Sequence, residues 1–388
     1  MKTVKIVIGA NFGDEGKGYM TDYFANEAKK QNKSCLVVCH NGGSQKGHTV
    51  VSPSGLRHVF HHFGSGNMTG ADTYLSKNYI VNPITFNREY EELERKGILT
   101  KTFVHKDCLV TTPFDMLINQ IAEEYRSKDK HGSCGLGVNE TIVRNNSMNT
   151  FTFYDMYKMP NHLNKVLLDI ISTYYLMKRL KQLKIESIPT KWLEILSKRD
   201  NIIENYIDDL NTMFDRIEFV DDSIFDKYEY VIFEGAQGLL LDQNNMEYFP
   251  HLTPSNTGIT NPVNMILDKN VSDIEVCYVT RTYMTRHGAG RFDSECKKED
   301  INSNMVDMTN IPNEFQDTLR YGTLDLNDLK NRIEKDFNSN SKGLDIKKSL
   351  AITHINEYDI DKEKVRDVFN GYKLYLSDGM TRDSVSIV

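Results

Sequence analysis

The chain has 388 residues, 39% of them hydrophobic, and a formal net charge of −7 at pH 7. Such a length and apolar content suffice for a substantial core and predict one main body, residues 1–388, with appendages. The acidic balance argues against a whole-protein role on nucleic acid or on a membrane surface.

In chain order, residues 3–9 (TVKIVIG) are a β-branched run that ends on glycine, and GYMTDYFANEAKK after Lys17 has apolar residues at helical spacing. The reading is strand, glycine turn, helix. SCLVVCHNGG at 34–43, YEYVIFEGAQG at 228–238 and IEVCYVTRTYMTRHGAG at 274–290 repeat the strand-then-glycine pattern. Interleaved with helical stretches, these runs predict an α/β fold with a mainly parallel central sheet, helices on both faces and long active-site loops. Ligands in such sheets gather at the carboxyl ends of the strands, where these glycines lie. A sustained period near 3.6 predicts a helical subdomain at about 155–220. From 296 to 350 the chain turns polar and rich in Asn, Lys and Asp, which reads as loops flanking a short helix.

Cys35, Cys39, Cys108, Cys134, Cys277 and Cys296 form no CxxC pair, so neither a zinc site nor a disulfide framework is expected, and a reducing cytosol fits. No window approaches the ~20 apolar residues of a membrane span. The apolar run in MKTVKIVIGANFG is too brief for a signal-peptide core. A cytoplasmic location is expected.

The chemistry concentrates in the glycine turns. FGDEGKG at 12–18 has the glycines and lysine of a phosphate loop, but Asn11 stands where a Walker A glycine belongs and Gly18 where its hydroxyl belongs. An ordinary P-loop kinase or GTPase is therefore disfavoured. The glycines still permit close backbone approach to phosphate, with a helix N-terminus behind them. In HNGGSQKGHTVV at 40–51, glycines around His48 set an imidazole on a tight turn, where it can meet an anion. FEGAQG, taken alone, reads equally as a site or as a buried strand ending in a turn. The absence of GxGxxG after the first strand disfavours a dinucleotide oxidoreductase.

Taken together, FGDEGKG, NGG…GHT, FEGAQGLLLD at 233–242, FPHLTPSNT at 249–257, TRHGAG at 285–290 and the C-terminal LSDGMTRD resemble, in order and over nearly the whole chain, the adenylosuccinate synthetases. The resemblance implies a ligase that joins L-aspartate to C6 of a 6-oxopurine nucleotide. The O6 oxygen takes the γ-phosphoryl group of a nucleoside triphosphate, and the aspartate amine then displaces it. Asp14 matches the base that deprotonates N1 and a Mg²⁺ ligand, His48 the acid that stabilises charge on the transferred phosphoryl, and Lys17 a phosphate contact. The carbonyl of Gly47 matches a second Mg²⁺ contact. Gly13, Glu15, Gly16, Lys17, Gly18, Gly47 and Thr49 are then expected to line the triphosphate. Gln45, Ser133, Cys134, Gln237 and Thr253 are expected at the acceptor nucleotide, where the Cys134 thiol is a weak donor. The family is typically homodimeric, with an arginine reaching into the partner's site, and Arg144 is the nearest match.

Some positions depart from the family. His354 and Asn356 replace the Lys-x-Asp element that reads guanine, and Asn356 suits adenine, so ATP or dATP is expected as donor, with Ser377 and Gly379 closing over the base. The aspartate loop NEFQDTLRYGTLD keeps only Thr318 and Arg320, with Arg320 as the expected carboxylate clamp. Gln45 stands where members usually have Asn. Gln45 and the single arginine resemble relatives that act on dGMP to make a precursor of 2-aminoadenine, but those relatives tend to replace the carboxylate at Asp14, which this chain keeps. IMP is expected ahead of dGMP or GMP.

Overall fold

The computed structural model describes residues 2–127, 132–148, 151–305 and 319–388. Its frame is a ten-stranded sheet. In chain order the strands are β1 (Thr3–Gly9), β2 (Cys35–Cys39), β3 (Asp72–Leu75), β4 (Thr102–His105), β5 (Glu218–Val220), β6 (Tyr230–Gly238), β7 (Asp273–Arg281), β8 (Ile346–Thr353), β9 (Lys373–Ser377) and β10 (Val385–Ile387). Across the sheet they run β10-β9-β8-β7-β1-β6-β2-β3-β4-β5. All neighbours are parallel except β9 and β10. The expected mainly parallel α/β architecture is therefore present.

Successive side chains of β1 point to opposite faces, and both faces are covered. Ile6 and Ile8 join Phe233, Val276 and Leu350 beneath the helix Leu326–Asn340. Val7 joins Val37, Ile232 and Cys277 against Met20, Phe24 and Ala28 of α1 (Lys17–Lys30). Near-continuous apolar runs in the sequence follow from burial on both sides.

The predicted helical stretch is helical from Phe153 to Phe214, with short breaks, and leads into β5. Its apolar residues, among them Leu167, Tyr175, Ile203 and Leu210, join one cluster with Cys39 and Val104 of the sheet. These helices thus share the core of the main body. The loops expected at 296–350 need correction. That stretch holds a 15-residue helix, Leu326–Asn340, and most of the interior strand β8. Asp325 caps the helix, accepting from the amides of Asn327 and Asp328 at 2.8 and 3.0 Å. Leu326, Leu329 and Ile333 supply a narrow apolar stripe, masked in the sequence by polar neighbours.

The carboxyl ends of β1, β2, β6 and β7 lie side by side, so the glycine turns at them converge at one edge of the sheet, with the end of β8 beside them. An antiparallel hairpin, His48–Val51 with Arg57–Phe60, carries the second glycine loop back over it.

Candidate active site

The first and third glycine turns interlock. A Cβ on Gly13 would lie 2.7 Å from Cα of Gln237, and one on Gly9 2.6 Å from the carbonyl oxygen of Gln237. Only glycine lets the two backbones approach so closely, and Gly13 (φ 122°) and Gly16 (φ 96°) also need positive φ. The Walker A departures have local reasons. Asn11 is a buried hub: its amide donates to Glu15 Oε1 (2.7 Å), its Nδ2 to Thr280 Oγ1 (2.9 Å), and its Oδ1 accepts from Arg332 (2.6 Å). Gly18 abuts the second loop, for a Cβ there would lie 2.6 Å from that of His48 and 2.8 Å from Ser65 Oγ. A side chain at this position would push His48 away.

Around this junction the charged groups are buried and paired. His48 Nδ1 lies 2.9 Å from Glu234 Oε1, and Lys46 Nζ donates to Glu234 Oε2 at 3.0 Å. Ser65 donates to Glu234 through both its hydroxyl and its amide. Burial would raise the carboxyl of Glu234, but Lys46 and His48 outweigh it and hold the group well below the usual carboxylate range. With Glu234 ionised, Nδ1 of His48 carries the proton and Nε2 is left for a ligand. Burial lowers His48 to about 4 despite Glu234. Lys17, also lowered by burial, donates to the carbonyl of Gly13, and Glu15, Asp14 and Glu234 offset its charge. Burial pushes Glu15 up to about 7 against the pull of Lys17.

Asp14 is held from the other side. Arg281 at the end of β7 donates Nε to its carbonyl at 2.6 Å and Nη2 to its Oδ2 at 3.0 Å. The Asp14 side chain keeps 29% exposure. Among the described residues no three His, Cys, Asp or Glu side chains gather as a cation cage. One part-exposed carboxylate, with the exposed Gly47 on the neighbouring loop, suits a hard cation whose other ligands are water and phosphate oxygens.

Several buried polar atoms at this edge have no partner among the described residues: Gln45 Oε1, Thr49 Oγ1, Gln237 Oε1, Glu15 Oε2 and both ring nitrogens of His40. Gln237 also holds φ at 64°. Buried groups left unsatisfied in one place mark where a polar ligand supplies the missing bonds.

Other expected residues sit further out. Thr253 is buried, its amide donating to the carbonyl of Leu241 at 2.9 Å. Ser133 Oγ accepts from Asn119 Nδ2 at 3.0 Å, and burial pushes the Cys134 thiol up. Their loop meets TRHGAG, since a Cβ on Gly132 would lie 2.9 Å from Cα of Gly288. Ser377 bonds Tyr19 at 2.7 Å and the carbonyl of Gly379 at 3.3 Å. Asn356 is exposed, whereas the ring of His354 turns inward, with Nδ1 2.7 Å from Thr353 Oγ1 and its face edge-on to Tyr283.

The geometry alters two expectations. Arg144 is 1% exposed and spends its guanidinium inside its own chain, on Asp115 (2.8 and 3.0 Å) and the carbonyl of Val110. It is therefore not placed to reach a partner subunit. Arg320 makes a two-point pair with Glu295 (2.8 and 2.5 Å) and donates to the carbonyls of Gly288 and Gly290, so an internal carboxylate holds the expected clamp. Thr318 lies outside the described residues.

Sequence reasoning missed Glu234, Lys46 and Arg281. Each is a charged residue set in an apolar or glycine-rich run (VIFEGAQ, GSQKGH, CYVTR), and a charge buried in such a run needs a partner.

A family model described as adenylosuccinate synthetase matches residues 6–368. The adenylosuccinate synthetase of Lactobacillus acidophilus is 28% identical over 305 residues, covering 76% of this chain and 66% of that protein. The chain thus spans just under two thirds of that relative's length. The adenylosuccinate synthetase of Borrelia recurrentis is 24% identical over 382 residues, 96% of this chain and 79% of that protein. Among solved structures, fully ligated adenylosuccinate synthetase from Plasmodium falciparum superposes with a TM-score of 0.73 at 16% identity, covering both chains in full. Succinoaminodeoxyadenylate synthetase of cyanophage S-2L, bound to dGMP and dATP as an energy donor, superposes with a TM-score of 0.64 at 14% identity over 100% of this chain and 95% of that one.

Proposed function

The chain belongs to the adenylosuccinate synthetase family, and from that membership we propose that it is a C–N ligase joining L-aspartate to C6 of a 6-oxopurine nucleotide at the expense of a nucleoside triphosphate. The acceptor is IMP and the donor ATP or dATP. Asp14 takes the N1 proton, which makes O6 nucleophilic toward the γ-phosphorus. The β–γ bridging oxygen leaves with its electron pair, and the aspartate amine later displaces the phosphate from C6. Lys17 and the amides at the start of α1 hold the triphosphate, and His48, oriented by Glu234 through Nδ1, takes up a proton on Nε2 beside the bound phosphates and donates it as a hydrogen bond to the charge that builds on the transferred group. Mg²⁺ held by Asp14 and the Gly47 carbonyl would offset phosphate charge at the same junction. Arg320 can hold the aspartate carboxylate only once Glu295 yields it. A homodimer in the cytoplasm, where the free thiols of the chain stay reduced, completes the proposal.

The observation that carries this reading is the convergence of Asp14, Lys17 and the His48–Glu234 pair on interlocked glycine loops, amid buried polar atoms that lack partners. A second reading, the same reaction on dGMP or GMP giving 2-amino-(deoxy)adenylosuccinate, is favoured by Gln45 and by the lone arginine of the aspartate loop. Phosphate release with IMP, GMP or dGMP, each paired with ATP or GTP and with aspartate present or omitted, tests both. Release that needs IMP, ATP and aspartate supports the first, and release that needs dGMP or GMP supports the second. Release independent of any purine acceptor defeats both.

A further inference from the structure

We propose that Arg281 is a positioning residue that registers Asp14 against the loop meeting the donor base, acting through Tyr283 and Glu357. This rests on the reading above, in which Asp14 acts on the acceptor purine and residues 354–357 meet the triphosphate's base. Arg281 is only 7% exposed, and each of its three guanidinium nitrogens is already engaged within the chain. One edge of its guanidinium grips Asp14 twice, at the carbonyl and at Oδ2. The remaining nitrogen, Nη1, donates to the hydroxyl of Tyr283 at 2.8 Å. That hydroxyl spends its single proton on the carboxylate of Glu357.

Glu357 is itself fixed within the base-reading turn. Its amide donates to the carbonyl of His354 at 3.0 Å, and its own carbonyl accepts from Asn302 Nδ2 at 2.7 Å. Thr282, between Arg281 and Tyr283, donates its hydroxyl to the carbonyl of His354 at 3.3 Å. His354 holds φ at 62°, a conformation that a non-glycine residue keeps only when its surroundings enforce it. An unbroken line of hydrogen bonds thus runs from the carboxylate of Asp14 to the turn 354–357. The line requires arginine, whose planar fork serves Asp14 and Tyr283 at once. A lysine ammonium is a point donor on a flexible stem and reaches one or the other.

The functional consequence is geometric. Phosphoryl transfer demands that the donor, anchored by its nucleobase, and the carboxylate that deprotonates the acceptor stand in fixed register, and a misplacement of about 1 Å costs on the order of a hundredfold in rate. Here one buried cation sets that register.

Steady-state kinetics of the full chain and of Arg281→Lys, Arg281→Met and Tyr283→Phe, with donor and acceptor varied separately and urea unfolding alongside, test the proposal. Both Arg281 variants are expected to lose at least about tenfold in kcat and to raise the donor KM at least about threefold, with the acceptor KM within about twofold. Tyr283→Phe keeps the Asp14 contacts but cuts the line. It is expected to raise the donor KM and to change the ATP:GTP ratio of kcat/KM at least about threefold, with a smaller loss of kcat than Arg281→Met. Parallel shifts in donor and acceptor KM, or an unchanged ATP:GTP ratio in Tyr283→Phe, would overturn it. If the unaltered protein releases no phosphate with any substrate pair, the proposed activity fails instead. Equilibrium dialysis with ATP and with GTP then decides, and an ATP:GTP affinity ratio equal in Tyr283→Phe and the parent refutes the role of Arg281.

Discussion

Replacing Glu234 should damage the fold and the chemistry by separable amounts. Its carboxylate is 0% exposed and takes Lys46 on one oxygen and His48 on the other. Glu234→Leu leaves the Lys46 ammonium, 1% exposed, with only Cys39 Sγ (3.2 Å) and the carbonyl of Phe63 (3.1 Å). Breaking a buried ion pair by removing one member costs about 3–5 kcal/mol, because an uncompensated charge stays inside. Lys46→Met should cost less, since His48 and Ser65 still satisfy Glu234. The double variant removes both charges and replaces them with apolar volume, so it should recover at least about 2 kcal/mol of the sum of the single losses. Urea unfolding at pH 7 measures all the terms of this cycle. Activity should not recover with stability. In Glu234→Leu and in the double variant, His48 has lost the acceptor that fixes its tautomer, and kcat should fall on the order of 10²-fold or more in both. Additive stability losses would refute the coupling of Glu234 to Lys46, and a double variant that regains turnover along with stability would refute the assignment of Glu234 as the partner that orients His48.

Asp14→Ala and His48→Ala should each lower kcat by roughly 10²–10⁴-fold while nucleotide affinity changes far less, as read by saturating kinetics beside equilibrium dialysis; near-full turnover in either discards the acid–base scheme. Gly18→Ser restores the Walker A hydroxyl but places a Cβ 2.6 Å from that of His48; a loss of about 1–3 kcal/mol and a drop in kcat are expected, and a gain in activity would show that the loop works as an ordinary P-loop. His40 is 0% exposed, and burial lowers it to about 3 from 6.5. A histidine with a depressed folded pKa is charged only in the unfolded chain between pH 3 and 6.5, so stability is lost as pH falls below 6.5. The loss at pH 5 is about 2 kcal/mol, and His40→Gln should remove it when unfolding in urea is compared at pH 7 and pH 5.

Legibility of the sequence followed the physics of each segment. The strand-then-glycine runs could be read because burial on both faces forces continuous apolar stretches and because close backbone approach admits only glycine, as at Gly9 and Gly13. The helix Leu326–Asn340 could not, because only a narrow stripe of it is buried and its polar surface dominates the composition. Glycine spacing singled out the loops that carry Asp14 and His48, and the family resemblance singled out those two residues within them. Neither showed Arg281, Lys46 and Glu234, whose meaning lies in partners far along the chain, as with Glu234, 186 positions after His48. Arg144 and Arg320 mislead for the same reason: Asp115 and Glu295, which hold their guanidinium groups, are not visible as partners in one dimension.

The placement of acids in a phosphate loop follows from the same long-range partners. Asp14 and Glu15 together would repel a triphosphate if both stood fully charged beside it. Neither does so unopposed. Arg281 sits on Asp14 with two hydrogen bonds, and burial pushes the carboxyl of Glu15 up to about 7. The charge of Lys17 is offset by both and by Glu234. The loop therefore presents backbone amides and one tethered, part-exposed carboxylate to an incoming ligand, with little net negative field. Under the proposed scheme, that balance allows one short segment to receive an anionic donor while keeping a carboxylate base in place to remove a proton from the acceptor.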